Sequence, residues 1–265
     1  EVVSETRLLA LSQIDFPRHS RDYFMKLQRE VVALDRVQWV VIAGGLIAGK
    51  YLESLLKSEL KSNGIRKADD KEMYREGFAF SWAKKLDEFL PVLGEDINYH
   101  IAVSPKLDTI GEEGGIGRKI LEIFQLLRAG RGVKDVRLRF DDEEPRMSLQ
   151  WSTKEEIRVL VPPFEGWYSK YVSTAVQRLT NPYIGRAFTE ERPVLILVGC
   201  TGSGVNVPSY EGIPMLSVPA FNKIKKTKTT ESMVGGVVVT LRKHKSGAFS
   251  YSEKTHDFRP FVSAE

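Results

Sequence analysis

The sequence predicts an α/β fold, and three observations predict it. The stretch Trp39-Val40-Val41-Ile42-Ala43 is almost wholly apolar and stops at Gly44-Gly45, as a parallel strand covered on both faces does. Strand and helix patterns alternate as β-α-β-α through the first half. The second half is strand-rich and begins with the strictly alternating Val136-Arg137-Leu138-Arg139-Phe140, a strand with one wet face.

The elements follow in order. Arg7 to Ser12 reads as a first strand, closing at Gln13-Ile14-Asp15 before Pro17 blocks its continuation. His19 or Ser20 can open a helix, in which Phe24, Leu27, Val31 and Leu34 recur at helical spacing. Val37 to Ala43 is the second strand. Tyr51, Leu52, Leu55, Leu56 and Leu60 form one stripe that ends at Asn63-Gly64, and a second helix runs from about Asp69 to Leu90 before Pro91. These two make a helical insertion over about residues 50–93. Tyr99 to Val103 is the third strand, followed by a loop at Gly111 to Gly115 and an amphipathic helix from Ile116 to Leu127. Beyond Val136 to Phe140, strands are expected at Ile157–Val161, Val194–Val198, Met215–Val218, Val234–Leu241 and Ala248–Tyr251, the later ones joined by hairpins. A short helix is expected over Tyr171–Leu179. No internal repeat or linker interrupts the chain, so residues 1–265 read as one domain.

Composition bounds the function. A chain of 265 residues with 42% hydrophobic residues can bury a large core. No apolar run approaches the roughly 18 residues that span a bilayer, so no membrane partner is expected. The acidic start Glu1-Val2-Val3-Ser4-Glu5 does not resemble a signal peptide. Cys200 is the only cysteine, which excludes an intrachain disulfide and a cysteine zinc cage and fits a reducing, cytoplasmic setting. The net charge of +4 is a weak pointer to nucleic acid.

Two readings compete for the glycine turn. Gly44-Gly45-Leu46-Ile47-Ala48-Gly49-Lys50 fits G-x-x-x-x-G-K between a strand and a helix, which would cradle a nucleotide phosphate with backbone N–H groups and a lysine. The next residue is Tyr51, not the Ser or Thr that would hold magnesium, and a tight strand-to-helix turn explains the glycines without a ligand.

The second reading takes all the turns together. Leu9-Ala10-Leu11-Ser12-Gln13-Ile14-Asp15, Val41-Ile42-Ala43-Gly44-Gly45-Leu46, Ala102-Val103-Ser104-Pro105-Lys106-Leu107-Asp108 and Leu197-Val198-Gly199-Cys200-Thr201-Gly202 lie in the order of the motif turns of one family. Over residues 7–241 the chain resembles the calcineurin-like metallophosphoesterases. That resemblance implies an α/β/β/α sandwich of two mixed sheets flanked by helices, with two metal ions at the strand ends. It also implies loss of the ligands. Gln13 and Asp15 stand where the family has Asp and His, and Gly45 replaces the bridging Asp. Lys106 and Leu107 replace Asn and His, with Asp108 kept as the acidic residue. Cys200 and Gly202 replace the final pair, and Val161-Pro162-Pro163 stands where a strand should end in His. Gly45 and Leu107 offer no ligand atom, and Lys106 would repel a cation. The Lys106 ammonium could instead fill a vacated cation position, paired with Asp15 or Asp108.

Other residues carry plainer readings. Cys200 reads as a small turn residue rather than a nucleophile, and His100 as a sheet residue. Asp141-Asp142-Glu143-Glu144 reads as a solvated turn. Lys223, Lys225, Lys226 and Lys228, with Arg242, Lys243 and Lys245, could touch nucleic-acid phosphates, or could simply keep hairpins soluble. Trp167 and Tyr168 could form a contact surface or a core anchor. Phe78, Phe80, Trp82 and Phe89 exceed what one helix face needs and mark the 50–93 segment as a protein-docking surface.

The expectation is a non-catalytic metallophosphoesterase-like scaffold without a cofactor. The accessory subunits of replicative DNA polymerases, which share such ligand loss, suggest a nucleic-acid-processing assembly by analogy. The alternatives are a divergent phosphodiesterase or nuclease using Asp15, Asp108, His19 or His100 with manganese or another divalent metal, and a nucleotide-binding protein using Gly44–Lys50.

Overall fold

In the computed structural model the described residues are 1–18, 35–94, 96–110, 115–140, 146–151, 155–161, 193–200, 205–210, 212–221 and 235–257. Eleven strands and three helices are defined among them. The first sheet contains β1 (Val2–Leu11), β2 (Trp39–Ala43), β3 (Asn98–Ala102), β4 (Val136–Arg139), β10 (Gly235–His244) and β11 (Phe249–Asp257). Its order is β11-β10-β1-β2-β3-β4, with β1 to β4 parallel and β10 and β11 added antiparallel. The second sheet contains β5 (Arg146–Gln150), β6 (Glu156–Leu160), β7 (Leu195–Val198), β8 (Val205–Tyr210) and β9 (Ile213–Ser217), in the order β5-β6-β7-β9-β8. Both sheets are mixed, as the sequence predicts.

Strand alternation divides the core. Leu9, Leu11, Val40, Ile42, Tyr99 and Ile101 face three helices: α1 (Gly49–Ser62), α2 (Ala68–Phe89) and α3 (Gly115–Gly130). Leu8, Ala10, Val41, Ala43 and Ala102 face the other way and pack on Leu149, Val159, Leu197 and Leu216 of the second sheet. A third buried cluster, with Ile196, Val198 and Met215, lies on the opposite face of β7 and β9. No helix among the described residues covers it, and the helix expected over 171–179, like the one expected after His19, lies outside those residues.

Several expectations change. β1 begins at Val2 rather than Arg7 because its first half pairs with β10, as in Glu5 opposite Arg242. β5 and β8 were not expected, although Arg146-Met147-Ser148-Leu149-Gln150 alternates. β4 completes the parallel run of the first sheet, so the change of character comes after it.

The 50–93 segment is a wall of the core rather than an appendage. Leu52, Leu56, Phe78, Ala83 and Leu86 are buried in the first cluster. Arg128 of α3, only 1% exposed, binds Asp87 of α2 at 2.9 Å and Asp135 ahead of β4. Its guanidinium also lies 5.0 Å from the Phe124 ring. Removing one partner of such a buried ion network costs about 3–5 kcal/mol, so α2 is fixed to the sheet through α3. Deleting 50–93 would therefore remove seven of the 26 buried residues of that cluster.

Candidate functional site at the strand ends

The carboxyl ends of β1, β2, β3 and β7 converge, and backbone strain converges with them. Gly44 and Gly45 have φ of 75° and 70°, and the non-glycine residues Gln13, Asp15 and Cys200 have φ of 51°, 59° and 57°. Left-handed conformations cost non-glycine residues free energy and concentrate where surrounding structure enforces them. Here the enforcement is visible. Gln13 N and Asp15 N donate to Gly44 O (3.0 Å) and Gly45 O (2.9 Å), and Phe16 N donates to Leu46 O (2.9 Å), laying the β1 loop along the glycine turn.

Ser12, fully buried, ties three strands. Its hydroxyl donates to Ala43 O at 3.0 Å and accepts from Cys200 N at 2.7 Å. The Cys200 thiol points inward at the same carbonyl, 3.6 Å away. Burial, then the charge of Asp108, raise its pKa above the usual thiol range, while the Ser12 hydrogen bond opposes them weakly. Such surroundings favour the protonated thiol over the thiolate that a nucleophile or metal ligand requires.

Asp108 decides the chemistry of the turn. It is fully buried. Its Oδ2 accepts from Gly45 N (2.9 Å) and Ser104 N (2.7 Å), and its Oδ1 from Ile47 N (2.8 Å). Burial raises its pKa to about 7, opposed by those three N–H groups and reinforced by the charge of Asp15. Both oxygens are thus held by backbone. This also corrects the phosphate-loop expectation. Gly45 N and Ile47 N serve Asp108, Ala48 N donates to Phe16 O, and Gly49 N donates to Leu107 O. The protein's own carboxylate takes the place that a phosphate would occupy, and Lys50 is exposed.

Lys106 is exposed, and no ion pair joins it to Asp15 or Asp108 among the described residues. The expected salt bridge is therefore absent; backbone donors hold Asp108 instead. Gly45 has no room for a ligand: a Cβ there would stand 2.8 Å from Gln13 Cα and 3.1 Å from Gln13 N. Gln13 Oε1 is buried without a hydrogen-bond partner. A two-metal centre needs several carboxylate and imidazole ligands around ions roughly 3.5–4 Å apart. The residues present do not fit one, and among the described residues no cluster of three or more His, Cys, Asp and Glu side chains could hold a metal.

The other candidates disperse. His100 is buried on the inter-sheet face of β3, its ring 5.5 Å from Trp39, and burial and then Arg137 lower its pKa to about 4. It belongs to a different cleft. Arg242 binds Glu5 at 2.8 Å, Lys243 binds Glu155 at 2.9 Å and Lys245 binds Glu1 at 2.5 Å. These three cations are paired with carboxylates across strands and loops. Lys223, Lys225, Lys226, Lys228, Gly202, His19, Asp141–Glu144, Trp167 and Tyr168 lie outside the described residues.

The aromatic set on α2 also divides. Phe78 is buried, Trp82 meets Phe16 edge-on at 6.1 Å, and Phe89 stacks on Phe16 at 5.4 Å. Phe80 alone among the four is exposed. The apparent surplus has a structural reason: α2 covers the β1 loop as well as the sheet.

No protein-family model matches the sequence, and a search of curated proteins returns no match. By structure, the chain is similar to GAP50, the anchor in the inner membrane complex of Plasmodium (10% identity, 97% of this chain and 89% of that one, TM-score 0.46). It is similar to Vacuolar Protein Sorting 29 from Cryptosporidium parvum (8% identity, 96% and 98%, TM-score 0.42). A dimetal phosphatase from Danio rerio is similar at 9% identity (97% and 100%, TM-score 0.42).

Proposed function

We propose that this protein is a non-catalytic metallophosphoesterase-like scaffold, an interaction subunit whose vestigial metal positions now serve the fold. One observation carries the reading: both oxygens of Asp108, the acidic residue kept from the third motif, accept backbone N–H groups. Gly45 supports it, since the β1 loop fills the space of a bridging aspartate. The analogy with accessory subunits of DNA polymerases makes a nucleic-acid-processing assembly the setting to test first.

A protein partner would meet the groove between α1 and α2, a cavity of about 880 Å³ lined by Ile65, Met73, Tyr74, Phe78, Trp82 and Lys85. Met73 is 71% exposed there, and Gly77 leaves open space beside it. No helix among the described residues is long and apolar enough to cross a membrane.

The test is metal analysis of the purified protein together with manganese-dependent hydrolysis of a simple phosphodiester. No stoichiometric metal and no hydrolysis above background are expected. Hydrolysis that disappears in Asp15→Ala would establish the divergent phosphodiesterase instead.

A further inference from the structure

The sandwich is open at one edge. Between β4 of the first sheet and β5 of the second lies a cleft of about 440 Å³. Val136 is buried in the helical core and Leu138 packs partly against it, while Arg137 and Arg139, with Leu138 between them, line this cleft. Residues two apart on a strand lie on one face, roughly 6.5–7 Å apart. Among the described residues neither arginine forms an ion pair and none of those lining the cleft is acidic. The floor is apolar and aromatic, built from Trp39, Met147 and Leu149, with the buried His100 beside the indole. Asn98 adds an amide at the rim.

We propose that this cleft binds a small anion that carries a planar ring, of about the size of a nucleoside monophosphate. Arg137 and Arg139 would hold the phosphate, and the ring would lie against Trp39. Guanidinium groups match phosphate oxygens in a planar fork. Pockets of roughly 300–1,000 Å³ with an apolar floor and few polar groups are the usual form of small-molecule sites. His100 contributes no positive charge at neutral pH, since its pKa lies near 4. The cleft is distinct from the strand-end turn, so this inference does not depend on the loss of the metal ligands.

A bland reading of the same arginines exists. Charges on an edge strand that point inward discourage edge-to-edge association. That reading needs no ligand, and the two separate cleanly in one experiment. The full chain is titrated with adenosine monophosphate, adenosine and inorganic phosphate, following tryptophan fluorescence and heat of binding. The wild type is expected to bind the monophosphate at least about tenfold more tightly than either fragment, a difference of about 1.4 kcal/mol. The double variant Arg137→Gln/Arg139→Gln should lose at least that tenfold. Trp39→Phe should abolish the fluorescence change and weaken the heat signal. Adenosine binding as well as the monophosphate, or unchanged affinity in the double variant, overturns the proposal. So does a double variant that self-associates while wild type binds none of the three probes.

Discussion

The strand-end turn and the β4–β5 cleft present opposite solutions to a polar group near a core. At the turn, both oxygens of the buried Asp108 meet backbone N–H groups. At the cleft, Arg137 and Arg139 line an opening with an apolar floor, with no carboxylate among the described lining residues. In many α/β sheets the first place is where ligands collect. Here backbone amides occupy the carboxylate, and the open polar surface lies at the side of the sandwich. The difference teaches that left-handed backbone at a turn can be held by the hydrogen bonds between loops alone. The left-handed Gln13, Asp15 and Cys200 persist because hydrogen bonds between loops hold them.

The comparison can be broken most forcefully at Gly45. Gly45→Asp restores the side chain of the family motif, but it puts a Cβ against Gln13 at a φ of 70°. It should destabilise the fold by about 3–5 kcal/mol in chemical denaturation, at the upper end of single substitutions. A loss under about 1 kcal/mol would mean that the β1 loop yields readily.

Asp108→Asn comes next. The amide turns an N–H toward at least one backbone donor, leaving buried groups unpaired, and should cost about 2–4 kcal/mol. The wild type adds a pH signature. The Asp108 carboxyl has a pKa of about 7 when folded and 3.8 when free. The folded state therefore holds an extra proton between those values, and this group's contribution falls as pH rises through that window. Subtracting the stability profile of Asp108→Asn from that of the wild type should isolate this slope, and a flat difference would show Asp108 ionised throughout.

Gly77→Ala is a milder probe of the α1–α2 groove. A methyl group there meets nothing within 4 Å, and replacing a mid-helix glycine should raise stability by about 0.5–1 kcal/mol. The smallest effect belongs to the cleft. Arg137→Gln/Arg139→Gln should stay within about 0.5 kcal/mol of wild type, because both residues are exposed and form no ion pair among the described residues. A large loss would make the arginines structural rather than presented.

Much of the scaffold is legible in the sequence. The apolar run of β2, the helical stripes of α1 and α3, and the punctuation of Asn63-Gly64 and Pro91 all correspond to observed elements. The two strands that escape notice lie at sheet edges: β5 is rich in polar residues between its two buried ones, Met147 and Leu149, and β8 carries Pro208, which reads as a breaker. The residues at the strand ends are legible in the sequence, but the contacts they make are not. Nothing local in Lys106-Leu107-Asp108 reveals that the carboxylate binds amides of a turn more than sixty residues away. Trp82 and Phe89 look surplus because their partner Phe16 sits in a loop. The alternation of β4 does show a wet face, and only the sheet order reveals that this face opens between two sheets.

We propose above that the backbone-held Asp108 and the Gln13 backbone against Gly45 leave the strand-end turn unable to hold a metal. Thermal unfolding of Gly45→Asp with and without saturating manganese tests it most directly. The account predicts the same lowered Tm in both conditions, because Gln13 occupies the space and Asp108 is held by backbone. A Tm that manganese raises toward the wild-type value would contradict it.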